Sequence, residues 1–261
     1  MKNTLAEKIL LRFSREPEKS ADGKNLEKWD VNNALNNLRE VFPDFIDQIQ
    51  NKSVLDFGCG LGFQTVALSM HGSKFVLGLE SNEESISKAK QLAGKSQLQD
   101  KVDFNGSIDE DYKNYFDIVI SQNSMEHFPE PQKTLEEMKS ALNPKGLLYI
   151  TFGPPWFSPT GSHMNYFTKI PWVNLLFSEK TVMNVRKNFR NDGAQKYEEV
   201  ESGLNKMSVG KFERIVKNCG LKVKYKKYDC IKKMNILGKI PLLRELFINR
   251  INIILVQNKG V

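Results

Sequence analysis

The sequence predicts an α/β fold: a mostly parallel sheet with helices on both faces and one inserted cap. Three observations carry this. Apolar, strand-like runs alternate with helical patterns from Ser53 to Phe152, the rhythm of consecutive β-α-β units. The first run leads into an acid and a glycine-rich turn, Val54 to Gly62 reading VLDFGCGLG. The rhythm stops at Gly153-Pro154-Pro155 and resumes at the helical pattern of Ser208 to Asn218, which leaves residues 153–205 as an insertion.

Residues 1–50 read as an N-terminal helical segment. Leu5, Ile9, Leu10 and Phe13 fall on one side of a short helix, with Lys2, Lys8, Arg12 and Arg15 around them. Such a helix packs on its domain; its second reading is peripheral contact with an anionic membrane surface. Ser14 to Asn25 is polar and irregular. Leu26 to Ile49 is helical, with Leu35, Leu38, Phe42, Phe45, Ile46 and Ile49 as an apolar stripe broken at Pro43.

The cofactor-binding core spans residues 51–152. Its first strand ends at Asp56, Gly58, Gly60 and Gly62 form the turn, and Gln64 to Met70 is a helix. This arrangement brings bare backbone and the free N–H groups of a helix start to one place. A dinucleotide site has a third glycine where Phe63 stands, so the turn is not of that kind. Lys74 to Glu80 is a short buried strand. It ends in an acid about 20 residues beyond the first glycine, where a carboxylate accepts from ribose hydroxyls. Lys101 to Asp109 is the third strand and its loop, Phe116 to Ser121 the fourth strand, and Gln122 to His127 the loop after it. Pro129 and Pro131 open a helix, Gln132 to Leu142. Asn143-Pro144-Lys145-Gly146 is a turn, and Leu147 to Phe152 is strand five.

Asp56 with the G-x-G-x-G spacing, Glu80, and the Gln122–His127 loop together resemble the class I S-adenosylmethionine-dependent methyltransferases. Within that family the small-molecule and glycan branch, of the methyltransferase type 11 kind, is the most similar. The resemblance implies a Rossmann-like, seven-stranded, mostly parallel sheet closed by an antiparallel hairpin. Here the hairpin is Leu221 to Cys230 with Ile251 to Gln257; Ile231 to Arg250 lies between them, and residues 206–261 complete the core. It implies S-adenosylmethionine as cofactor and S-adenosylhomocysteine as product. The implied cofactor contacts are Asp56, Gly58, Cys59, Gly60, Gly62, Glu80, Ser81, Ser107, Ile108, Gln122 and Asn123. Ser107 stands where the family often has an acid for the adenine amino group, so Ser107, its backbone, or Asp109 takes that contact.

Residues 153–205 are the expected substrate cap. Trp156, Phe157, Tyr166, Phe167, Trp172 and Phe177 are expected to build a small core, with a few lining a substrate pocket. The cap is similar to those of bacterial enzymes of glycan pathways. This implies O-methylation of a sugar or glycan-pathway intermediate; a quinone, lipid or other small metabolite is the alternative, and a non-catalytic cofactor-binding partner a further one. An alcohol acceptor needs a base. His163, at the start of the cap, is the first candidate and His127 the second. Gly153-Pro154-Pro155-Trp156 resembles the N-P-P-Y box of nitrogen methyltransferases but follows the wrong strand, which weakens base and amide methylation.

Net charge is +7 and the isoelectric point about 9.1, with a run of lysines from Lys222 to Lys227. Such a run is usually a solvated face, and no strong nucleic-acid signal accompanies it. No run approaches the roughly 18 apolar residues of a membrane span, and the first residues lack a secretory pattern. Cys59, Cys219 and Cys230 have no metal or disulfide spacing, which fits a reducing cytoplasm and no bound metal. Nothing in the sequence sets the oligomeric state.

Overall fold

Strand β1 (Ser53–Phe57) shows why the sheet is covered on both sides: Val54 and Leu55 point to opposite faces, and neither is exposed. The computed structural model describes residues 3–16, 30–233, 237–240 and 243–258. Its other strands are β2 (Phe75–Leu79), β3 (Val102–Asn105), β4 (Phe116–Gln122), β5 (Leu142–Phe152), β6 (Leu221–Cys230) and β7 (Ile248–Gln257). They form one seven-stranded sheet in the order β3-β2-β1-β4-β5-β7-β6. The first five strands run parallel, and β7 is antiparallel to both β5 and β6. The chain order reverses between β1 and β4, which opens a crevice at their carboxyl ends.

On one face α2 (Asn36–Val41), α3 (Phe45–Ile49), α4 (Phe63–Met70) and α5 (Glu83–Lys95) bury Leu38, Phe45, Val66 and Ala89 against Val54, Val76 and Ile118. On the other, α6 (Pro131–Ala141) and α9 (Val209–Asn218) bury Leu135, Met138, Phe212 and Val216 against Leu55, Val119 and Ile150. A third cluster belongs to the insertion. There α7 (Val173–Leu176) and α8 (Glu179–Arg186) enclose Met164, Phe167, Val182, Met183 and Tyr197, and Leu10 of α1 (Leu5–Arg12) joins them.

Several boundaries differ from expectation. The predicted helix over 26–49 is two short helices parted at Pro43, preceded by turns over residues 31–35. Its first residues, Leu26 to Trp29, lie outside the described residues, as do Lys2 and residues 17–25. The Asn143–Gly146 turn is a bulge inside β5: Leu142 pairs with Phe116 and Leu147 with Ile118. The last strand starts at Ile248 rather than Ile251, so the insertion in the hairpin is shorter. It holds α10 (Arg244–Phe247), while Ile236, Pro241 and Leu242 are outside the described residues. The N-terminal helix does pack on the cap, but through Leu10 and Glu7; Leu5, Ile9 and Phe13 stay exposed.

Gly62 shows how tightly the turn is built. It caps α4 at φ +80°, and an added Cβ would sit 2.7 Å from Ala89 Cβ and 2.9 Å from the Phe104 ring. We expect Gly62→Ala to destabilise by about 3 kcal/mol from overpacking and strain, which is about 10 °C of Tm for a chain of this size. Thermal melts of the two proteins check this.

Candidate active site

The ends of β1, β2 and β4 and the loop after β3 converge on a cleft of about 1040 Å³. That is ample for a nucleoside-sized cofactor together with a small acceptor. Gly58 lies on its wall with φ +81°, and a Cβ there would meet Ser124 Oγ at 2.8 Å. Backbone therefore faces the cleft where a side chain would not fit.

Glu80, at the end of β2, is held by the turn it serves. Its Oε2 accepts from Gly60 N at 3.0 Å, and Oε1 accepts from Asn82 N at 3.0 Å and Ser81 Oγ at 3.3 Å. Asn82 also caps α5, its side chain accepting from Ser85 N at 2.9 Å. A carboxylate fixed by backbone amides still offers lone pairs to a pair of hydroxyls. Ser81, Asn82, Gly106, Ser107, Ile108 and Asp109 continue the wall past it. Ser107 and Asp109, the two candidates for the adenine contact, thus both line the cleft.

Asp56 lies beneath the turn rather than on the wall. It is buried, with Oδ1 accepting from Gln64 Nε2 at 2.6 Å and Oδ2 from Thr65 Oγ1 at 2.7 Å. It ties the end of β1 to the start of α4, so it shapes the turn from below. Burial, opposed by the Thr65 and Gln64 hydrogen bonds, pushes its carboxyl up to about 6. The value is raised from 3.8, so the neutral acid suits the folded chain. The contribution is whole below about pH 4 and is lost as the pH rises through about 6, by about 3 kcal/mol. Asp56→Asn, neutral throughout, is expected to flatten that slope, as denaturant titrations at pH 4 and pH 7 would show.

Cys59, Gly60 and Gly62 are likewise in the turn but off the cleft wall. Cys59 turns toward β2, where its Sγ would lie 2.9 Å from a Cβ on Gly78, and burial holds its thiol far above the usual range. Gln122 is off the wall too: its carbonyl accepts from Ser124 Oγ at 3.1 Å, and its own Oε1 is buried without a partner. Asn123 is on the wall, at φ +55° and with its N–H donated to Thr151 O at 2.7 Å.

The two histidines are adjacent but not equivalent. His127 lines the cleft, and its Nδ1 lies 2.7 Å from Gly203 O. A carbonyl only accepts, so Nδ1 carries a proton, and in the neutral ring Nε2 is the nitrogen with the lone pair. His163 is not on the cleft wall; its ring centre lies 5.5 Å from that of His127, at 76°. Burial and the neighbouring His127 push it down to about 4, and its Nε2 is enclosed without a partner. Behind them Glu126 is buried, its Oε1 accepting from Gly153 N at 3.2 Å, and desolvation raises its carboxyl. Among the described residues no group of three metal-ligating side chains comes together.

The aromatic side chains of the cap do not reach the cleft. Trp156, Tyr166, Phe167 and Phe177 belong to the cap's own core, and the cap supplies Glu201 and Ser202 to the cleft instead. Phe57, Phe128, Thr134 and Glu137 also line the cleft, none of them singled out from sequence. Phe128 stands edge-on to Phe57 at 5.6 Å, one residue past His127, so the motif's own spacing was its signal.

Residues 49–154 match the family model described as a methyltransferase domain, and the glycine turn, the placement of Glu80 and the sheet order of the chain agree with the class I S-adenosylmethionine-dependent methyltransferases. Its cofactor is S-adenosylmethionine. The residues present fit it: Glu80 offers a fixed carboxylate and Gly58 a bare backbone. Among curated relatives, the chain is 27% identical over 133 residues to the ubiquinone biosynthesis O-methyltransferase of Neisseria meningitidis, covering 47% of this chain and 56% of that protein. It is 30% identical over 129 residues to the mitochondrial enzyme of that name from Saccharomyces cerevisiae, covering 48% and 41%. The chain thus spans about half the length of the curated relatives it matches. In fold it is similar to a putative S-adenosylmethionine-dependent methyltransferase from Listeria monocytogenes, with TM-score 0.57, 15% identity, and coverage of 88% of this chain and 100% of that one. One from Mesorhizobium loti gives TM-score 0.55, 14% identity, and coverage of 85% and 97%.

Proposed function

We propose that the chain catalyses methyl transfer to an oxygen of a small acceptor, a ring hydroxyl of a quinone-type molecule before a glycan. The observation that carries the chemistry is His127: its Nδ1–H is committed to Gly203 O, which leaves Nε2 as a base at the cleft wall. The cofactor supplies an electrophilic methyl group on a sulfonium sulfur. Asn123, Ser124 and Phe128 line the cleft around His127 and would hold an acceptor beside the base. His127 Nε2 would take the proton from the hydroxyl of an acceptor held there.

Two further points favour this acceptor. The relatives described above are named for ubiquinone biosynthesis, which supports the quinone alternative over the glycan reading. The cleft is also acidic: Glu80, Asp109, Glu110, Glu137 and Glu201 line it against Lys113. Fields of that sign attract a cationic cofactor and repel a phosphate-bearing acceptor, so the chain's overall positive charge does not extend to the cleft. The test is turnover with S-adenosylmethionine on three acceptor sets: catechols and hydroxyquinones, neutral glycosides, and nucleotide sugars. Methylated product and S-adenosylhomocysteine are expected in equal amounts from the first set. Turnover confined to nucleotide sugars would overturn the proposed acceptor, and none from any set would count against the activity.

A further inference from the structure

Helix α1 is turned the wrong way for a helix that only packs on its own protein. At about 100° per residue, Leu5, Lys8, Ile9, Arg12 and Phe13 share one arc, and Glu7 and Leu10 lie on the other side. The chain buries the side with Glu7 and exposes the side with Leu5, Ile9 and Phe13, which are 76%, 43% and 61% accessible. The inward orientation of Glu7 is specified rather than incidental. Its Oε2 accepts from Thr4 N at 2.7 Å in a capping box, and its Oε1 accepts from Asn184 Nδ2 of α8 at 2.7 Å. The outward arc therefore carries three large apolar side chains, two cations and no acid.

The neighbouring cap extends the same character. Both α1 and α7 pack on α8, and α7 exposes Leu175 and Leu176, at 43% and 64%. The cations flanking the apolar groups are Lys8 and Arg12 of the arc itself, both exposed; Lys180 of α8 is exposed too, but within electrostatic reach of Glu7 and so on the inward side of α1. Exposed apolar groups on one arc with flanking cations make an interfacial surface: the apolar groups enter the headgroup boundary and the cations meet anionic headgroups. No helix among the described residues is long and apolar enough to cross a membrane, so the contact is peripheral.

We propose that the outward arc of α1, with Leu175 and Leu176 of α7, docks on the surface of an anionic lipid bilayer. The same cap insertion lends Glu201 and Ser202 to the cleft wall, so a bilayer held at this surface would bring lipid-dissolved acceptors to the protein. The docking itself does not rest on the identity of the acceptor.

The experiment is co-sedimentation of the full chain with phosphatidylcholine vesicles, with and without phosphatidylglycerol, at low and at 0.5 M salt. Two variants accompany it, Leu5→Ser with Phe13→Ser and Lys8→Glu with Arg12→Glu. All these side chains are exposed, so both variants should fold, and unchanged binding of S-adenosylhomocysteine is the control. The wild-type chain is expected to partition onto the anionic vesicles. Each variant should weaken that at least about tenfold, and high salt should weaken the wild type. No partition by the wild type, or partition that neither variant changes, would overturn the proposal. So would a wild-type dimer that Leu5→Ser with Phe13→Ser converts to monomer without any vesicle binding, because a second copy would then be the occupant. Loss of homocysteine-product binding in the wild type would instead strike the cofactor reading and leave the docking result interpretable.

Discussion

Glu80→Ala is expected to weaken binding of S-adenosylmethionine by about 100-fold. A charged acceptor of two hydroxyl hydrogen bonds contributes about 3 kcal/mol, and 1.4 kcal/mol is a factor of ten. The substitution also frees Gly60 N and Asn82 N, which the carboxylate now holds at 3.0 Å each. The glycine turn loses a constraint at the same time as the ribose loses its acceptor. Glu80→Gln keeps the shape and one acceptor oxygen, so its loss should be smaller. Calorimetric titration of both variants checks the order, and Glu80→Ala should lower the melting temperature more than Glu80→Gln, since it leaves Gly60 N and Asn82 N without that acceptor.

His127→Ala is expected to lower kcat by about 10²- to 10⁴-fold, the usual range for a lost general base. Binding of the cofactor should stay within a few-fold of wild type, since the role proposed for the ring is toward the acceptor. His163→Ala is expected to do less, because His163 stands behind His127 and off the wall. Single-turnover rates with saturating cofactor separate the two. If His163→Ala removed turnover while His127→Ala kept it, the assignment of the base would be reversed.

Much of this was legible in the sequence, for reasons that are local. Strand-turn-helix punctuation placed β1, the glycine turn and α4 because glycine and short apolar runs act on their immediate neighbours. Glu80 was legible because parallel neighbours put two strand ends side by side. The direction of Asp56 was not, since it depends on which donors a helix presents, and Gln64 and Thr65 turned it under the loop. Nor was the rotation of α1: the Asn184 bond that draws Glu7 inward spans 177 positions of sequence. The same applies to Glu137 and Glu201, which reach the cleft from separate elements and made its acidity invisible beside a chain of net charge +7. The cap aromatics were read correctly as a core but did not extend to a pocket, because that small core already uses them.

Calorimetric titration of the unmodified chain with S-adenosylhomocysteine tests the cofactor cleft most directly. One equivalent should bind, with Kd below about 1 mM, the upper end of ordinary substrate affinities. A titration without saturable heat at any temperature, from protein shown to be folded, would contradict it.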